Sequence, residues 1–256
     1  MAEEMARATL SSASGRKPVP KRPSASSKRL LLTCEHGGNR IPREYAPLFR
    51  GAKSVLASHR GWDPGALALA RSLARHFGLP LHSVTWSRLL VESNRAPANW
   101  RIWSSFTRGL PSAERERILE RFWWPHRRSV EAAVRKGVTS RCRVVHIAVH
   151  SFTPILDGEV RNLDIGLLYD SRRPAEKALC TGWEKILVEL DPTLRVRRNY
   201  PYRGATDGFP RWLRRRFAGK TYVGVELELS QALLAGPRRR HIERVLARSI
   251  ERLLRG

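Results

Sequence analysis

The chain has 256 residues, 41% of them hydrophobic, with eight tryptophans, which suits one α/β domain with a short appendage and argues against a disordered protein. Its 48 Lys and Arg outnumber 23 Asp and Glu, and a net charge of +25 favours anionic partners such as nucleic acid, anionic lipid or an acidic small molecule. No apolar run reaches the roughly 18–20 residues of a membrane span, and Cys34, Cys142 and Cys180, far apart and without a CxxC pair, argue against a disulfide scaffold or a cysteine zinc knot and fit a reducing cytoplasm.

Residues 1–27 are rich in Ala, Ser, Pro, Lys and Arg and lack the apolar stretch of a secretory signal, so they read as a flexible basic tail before an ordered domain at 28–256. Lys28 to Cys34 is an apolar run ending in a polar turn, the pattern of a buried strand feeding Glu35-His36-Gly37-Gly38-Asn39. Pro64 to Phe77 has helical periodicity with proline in its first turn. Pro80 to Trp86 and Arg88 to Val91 read as strands, and Ser112 to Lys136 as a long amphipathic helix interrupted at Pro125. Arg143 to Val149 is the strongest strand, followed by Asp164 to Tyr169. Pro174 to Leu190 is helical, Leu194 to Arg198 extended, Gly208 to Phe217 a short helix and Tyr222 to Leu229 a strand. Arg238 to Leu254 closes the chain as an amphipathic helix. Strands alternating with helices give an α/β class with a parallel or mixed central sheet, and ligands of such sheets sit beyond the carboxyl ends of the strands.

Several chemistry-bearing residues fall at those ends. His146 and His150 share one face of a strand, and a histidine at a strand mouth suits a metal ligand, a base or a locally satisfied ring. Gly37 and Gly38 let the backbone beside Glu35 and His36 approach another chain or a ligand closely. Asp63 precedes a helix, where N-capping is the simplest role. Arg95 follows a strand and could serve a surface ion pair. Glu226 and Glu228 lie on one face of an apolar strand, and buried carboxylates need partners or shift their pKa. No HExxH and no Walker A loop is present.

Seven motifs in order resemble the N-formylglutamate amidohydrolase family: CEHGGNRIP (34–42), HRGWDPGA (59–66), ESNR (92–95), VHSFTP (149–154), RNLDIGLLYD (161–170), NYPYRGATDG (199–208) and GVELELSQ (224–231). The resemblance runs from about residue 30 to 255. It implies a three-layer α/β/α fold around a mixed central sheet, similar to the zinc carboxypeptidases and aminoacylase-like deacylases. It implies one Zn2+ per chain, with His36 and His150 as ligands, Asn94 and Arg95 gripping a substrate carboxylate, and Glu228 as the catalytic Glu. Carboxypeptidases carry a Glu three residues after the first His; Asn39 stands there, so the third ligand is expected at Asp63, with Glu35 second.

The reaction so implied is hydrolysis of an amide or formamide bond by zinc-activated water, with Glu228 as general base and Arg95 or Arg203 steadying the oxyanion. N-formylglutamate is a dianion, and Arg95, Arg203 and Arg40 would suit it, giving formate and glutamate. The alternatives are a deacylase or carboxypeptidase-like hydrolase of another N-acyl amino acid or peptide, a basic nucleic-acid-binding protein, and an inactive relative. Arg-rich usage spread along the whole chain is also what a GC-rich genome produces, and no nucleic-acid motif stands behind it. The expected setting is the cytoplasm, with a small anionic N-acyl amino acid as partner and no membrane.

Overall fold

The computed structural model describes residues 27–255, so the expected basic tail, Ser27 apart, lies outside the described residues. In chain order the elements are β1 (Lys28–Cys34), α1 (Lys53–Ala57), α2 (Ala66–Phe77), β2 (Leu81–Ser83), α3 (Ser112–Ile118), α4 (Trp124–Thr139), β3 (Arg143–Phe152), β4 (Ile155–Leu156), β5 (Glu159–Val160), β6 (Ile165–Leu168), α5 (Pro174–Leu190), β7 (Val196–Arg198), α6 (Phe209–Arg214), β8 (Tyr222–Ser230), α7 (Gln231–Ala235) and α8 (Arg239–Arg255).

The central sheet has the order β2-β1-β3-β8-β6-β7. β2, β1, β3 and β8 run parallel, β6 runs antiparallel to β8, and β7 is parallel to β6, so the sheet is mixed. Its inner strands are near-continuous apolar runs because both faces are covered. On one face Leu30, Leu32, Val145, Ile147, Val225 and Leu227 pack against α2, α5 and α8. On the other, Leu31, Val144 and Tyr222 pack with Val130, Val134, Phe209 and Leu213 of α4 and α6. This is a three-layer α/β/α fold. A separate apolar cluster, including Tyr45, Phe49, Leu90, Ile102 and Trp123, anchors the segments between β1 and α4. The carboxyl ends of β1, β3 and β8 therefore lie side by side, which brings residues distant in sequence to one edge of the sheet.

Two sequence expectations change. Arg88–Val91 is a turn, not a strand: Leu90 N–H donates to Ser87 O at 3.0 Å, and Ser87 Oγ also accepts from Leu89 N–H at 3.2 Å. The serine offers the backbone a local alternative to a ladder. The helix expected over 112–136 is interrupted as a widened π turn at Leu119–Trp123, just before Pro125. Proline lacks an N–H and crowds the carbonyl four residues earlier, and the wider turn accommodates both effects.

Glu176 of α5 ties the second helical layer to the sheet. Its Oε1 accepts from Arg214 Nε at 2.9 Å and from Gly224 N–H at 3.3 Å, and its Oε2 from Asp170 N–H at 2.9 Å. Arg214 also donates to the carbonyls of Gly204 and Gly224 at 2.6 and 2.8 Å. Both side chains are buried. Replacing Glu176 with Ala strands a buried guanidinium, and breaking such a pair costs about 3–5 kcal/mol. The Glu176→Ala protein is expected to unfold at a clearly lower urea concentration; an unchanged midpoint with an unchanged slope would refute the role of this pair.

Candidate active site

β1 ends at Cys34 and delivers Glu35 and His36 into a turn. Gly37 N–H donates to Val84 O at 2.9 Å, and a Cβ at Gly38 would collide with the Thr85 backbone, so the close approach expected of these glycines is observed. Asp63 N–H donates to the carbonyl of His36 at 2.9 Å, which docks the 59–65 loop on that turn. α2 is capped by Gly65, whose φ of 84° places it in the left-handed region, and no side chain caps the helix. Asp63 is therefore not an N-cap, and its carboxylate is free to face the sheet.

The two histidines meet at Asp63. Its Oδ2 lies 2.9 Å from His150 Nδ1 and 3.3 Å from His36 Nδ1. The rings stand edge to face with centroids 4.9 Å apart. One donor atom from each of His36, Asp63 and His150 falls within 4.8 Å of the others, and all three residues are buried, so this cluster could hold a metal ion. Each imidazole also has a carboxylate behind it: His36 Nε2 contacts Glu92 Oε1, and His150 Nε2 lies 3.1 Å from Glu35 Oε2. Glu35, the second choice for third ligand, thus sits on the far side of His150 from Asp63. Glu92, first residue of the ESNR motif, had no role assigned from the sequence. It is held by Arg88 Nε at 2.7 Å and by Asn94 N–H at 3.0 Å, and Arg88 reaches Asp63 Oδ1 at 3.4 Å.

Burial by itself would raise the carboxyl pKa values here, and the neighbouring positive groups reverse it. His36 and His150 hold Asp63 far below the usual carboxylate range. Arg88 and His36 do the same for Glu92, and His126 and His150 for Glu35. Burial likewise pushes the imidazoles down, but Glu92 and Asp63 raise His36, and Asp63 and Glu35 raise His150. Glu228 behaves oppositely. Burial, then Asp63 and Glu226, push its carboxyl up to about 7 against the pull of His150 and His36. Its Oε2 is buried without a hydrogen-bond partner.

A cavity of 210 Å³ opens over these groups, lined by His36, Asp63, His150 and Glu228 together with Arg95, Arg203 and other residues. Glu228 lies opposite His150 in the β3–β8 register. Arg95 gives one N–H to the carbonyl of Asp207 at 2.6 Å, and neither Arg95 nor Arg203 forms an ion pair among the described residues. Asn94 lines the cavity, yet both ends of its amide are engaged: Nδ2 donates to Glu226 Oε1 at 2.9 Å and Oδ1 accepts from Phe209 N–H at 2.6 Å. Arg40 does not line the cavity and stacks over Trp86 instead. His146 shares the face of His150 as expected but is satisfied by Thr33 and Tyr222 at 2.8 and 2.7 Å. Burial drives its pKa down to about 3, so it is a neutral core histidine.

A family model described as N-formylglutamate amidohydrolase matches residues 28–235. A gene product of Agrobacterium tumefaciens of known structure is 30% identical, with a TM-score of 0.75 over 90% of this chain and 92% of that one. An N-formylglutamate amidohydrolase from Ralstonia eutropha has a TM-score of 0.65 at 20% identity, over 89% of this chain and 94% of that one. No curated protein matches the chain significantly by sequence.

The raised histidine pKa values have a measurable consequence. A group whose pKa rises on folding stabilises the fold below its unfolded pKa, and that stability is lost as pH rises through the folded value. The depressed carboxylates act at the other end: they stabilise above about pH 4 and lose that contribution as pH falls. The metal-free protein is expected to be most stable between these limits and to melt at a lower temperature as the imidazoles deprotonate at alkaline pH. A divalent cation, if the cluster holds one, would take the place of those protons. Thermal melts across pH, with chelator and with zinc, should show the alkaline loss only with chelator; identical curves would contradict this electrostatic reading.

Proposed function

Because the chain belongs to the N-formylglutamate amidohydrolase family, we propose that it is a zinc-dependent hydrolase of a small N-acyl amino acid, N-formylglutamate first among them. The observation that carries this reading is the convergence of His36, Asp63 and His150 within 4.8 Å beside the unpartnered carboxylate oxygen of Glu228. The donor set fits zinc, which takes imidazole nitrogen and carboxylate oxygen, and each ligand histidine backed by a carboxylate is a common arrangement around it. When bound, zinc supplies a Lewis acid that lowers the pKa of water and polarises the acyl carbonyl.

The protein's own residues do the rest. Glu228 takes a proton from the attacking water and returns it to the leaving nitrogen. A carboxyl with a pKa near 7 is suited to both steps at neutral pH. Arg95 and Arg203 line the cavity without carboxylate partners among the described residues, and each can give paired N–H groups to a substrate carboxylate, with Arg95 or Arg203 steadying the charge that develops on the acyl oxygen. Asn94 acts through its neighbours, fixing Glu226 and the start of α6, rather than gripping substrate directly. Asp63 serves as the third ligand. A 210 Å³ cavity suits a small acyl amino acid and not a folded polypeptide. Among the described residues no helix is long and apolar enough to cross a membrane, and the free cysteines support a cytoplasmic setting.

Elemental analysis should find about one zinc per chain, as one ligand set implies, lost in His36→Ala and in His150→Ala together with formate release from N-formylglutamate. Glu228→Gln should keep the metal and lower kcat by about 10²–10⁴-fold. Wild-type kcat/KM should fall towards acid pH, where Glu228, its carboxyl raised by burial, gains its proton. Full activity in His150→Ala would defeat the metal assignment, and hydrolysis of other N-acyl amino acids with none of N-formylglutamate would move the substrate.

A further inference from the structure

Glu35 stands behind His150, but what holds it there and what its burial with His126 does for the site need an explanation. The Glu35 side chain has no exposed surface and that of His126 is 6% exposed. Glu35 Oε1 lies 3.2 Å from His126 Nε2, and Oε2 lies 3.1 Å from His150 Nε2. Neither Glu35 Oε2 nor His150 Nε2 forms an aligned hydrogen bond, with the other or elsewhere, so the two are in ion-pair contact only. Two otherwise orphaned buried atoms thus face each other. An orphaned pair of this kind costs free energy unless its members serve one another.

Topology makes the arrangement specific. Glu35 immediately follows β1, His150 lies near the end of β3, and His126 stands in the first turn of α4, which packs on both strands. The turn that presents His36 to Asp63 therefore also presents Glu35 to the back of His150. An imidazole can offer Nδ1 as a lone pair only when its proton sits on Nε2. A carboxylate oxygen beside Nε2, as Glu35 Oε2 is at 3.1 Å, favours a proton on that nitrogen and so this tautomer. The second oxygen, receiving an N–H from His126, cannot rotate away.

We infer that Glu35, held in place by His126, is a positioning residue that fixes the tautomer and ring orientation of His150 and thereby sets the affinity of the His36–Asp63–His150 site for its metal. The inference rests on the metal reading of that site. It predicts an asymmetry between isosteric changes. A glutamine at position 35 fills the same space, but its NH2 group must face one of two N–H donors, so one bond is lost. A glutamine at position 126 can still donate to Glu35, whereas methionine cannot.

The test is zinc affinity of the purified full chain, measured by competition with a chromophoric chelator, alongside circular dichroism and the melting temperature of the metal-free protein. Glu35→Gln should bind zinc about 10–100-fold more weakly than wild type, the range found when outer partners of ligand histidines are removed. His126→Gln should stay within about three-fold of wild type and His126→Met should weaken binding by about ten-fold. A merely structural role would lower the melting temperature and leave the affinity unmoved. Equal affinity in wild type, Glu35→Gln and His126→Met overturns the inference. If Glu35→Gln does not fold, the two His126 variants decide: equal affinities overturn it, and the predicted difference upholds it. A wild type that binds no zinc defeats the metal reading itself, an outcome distinct from zinc binding that ignores position 35.

Discussion

The burial of negative charge around Asp63 governs the rest of this structure. Glu35, Asp63, Glu92, Glu226 and Glu228 are all at most 8% exposed and lie close to one another. Arg88, bound to both Glu92 and Asp63, is the permanent cation built among them. Unpaired buried carboxylates cost several kcal/mol each, so such a cluster persists only if something positive enters it. The imidazoles of His36 and His150 can carry protons there, and their raised pKa values express that demand. A divalent cation held by His36, Asp63 and His150 would meet the same demand more fully. Stability and metal chemistry thus draw on one electrostatic requirement.

The sheet explains why the cluster can exist. β1, β3 and β8 are parallel neighbours, so their carboxyl ends share one edge, and residues of even number on β3 and β8 share one face. Strand periodicity made that much legible: it put His150 at a strand mouth and Glu226 and Glu228 on one strand face, and the alternation of strands and helices gave the layered fold, while the roles of His150 and Glu228 came only from the family resemblance. Local spacing could not settle Asp63. A carboxylate just before a helix usually caps it, and only the left-handed Gly65 takes that role away. Glu92 escaped for a related reason. Arg88–Val91 has the composition of a strand, which would send Arg88 and Glu92 to one face without bringing them together around His36. The turn closed by Ser87 does bring them together, and nothing in the apolar pattern announces it.

Asn94 and Arg95 illustrate a different limit. The pair was legible as a motif, but a motif carries residue types and not bonding. In the fold the Asn94 amide donates to Glu226 and accepts from Phe209 N–H, and the carbonyl of Arg95 accepts from Arg127 and Trp123 at 2.8 and 3.2 Å. Arg127 is itself buried, with its guanidinium carbon 4.0 Å from the Trp123 ring centroid, 4.5 Å from that of Phe209 and 5.0 Å from that of Trp212. Burial lowers its pKa to about 9, and the aromatic faces offset part of that cost. Tryptophans that read from composition as core therefore also hold the guanidinium that holds the Arg95 loop.

Charge distribution separates how a substrate arrives from how it is recognised. Among the described residues eight acids are buried against two arginines, so the outer surface is more cationic than the composition alone suggests. Exposed arginines occur on α4, at Arg128 and Arg135, and on α8, at Arg240, Arg244 and Arg248, and these helices cover opposite faces of the sheet. A field spread in this way attracts anions without selecting among them, and salt screens it over about 8–10 Å. Selection requires groups that act at contact distance. Arg95 and Arg203 line the cavity without carboxylate partners, in company with Asp63, Asp207, Glu226 and Glu228. A carboxylate on a ligand would meet those two arginines at contact distance. A polyanion with a charge at every unit would bring further negative charge against Glu226 and Glu228. The surface charge therefore favours many anions, and the cavity admits few of them.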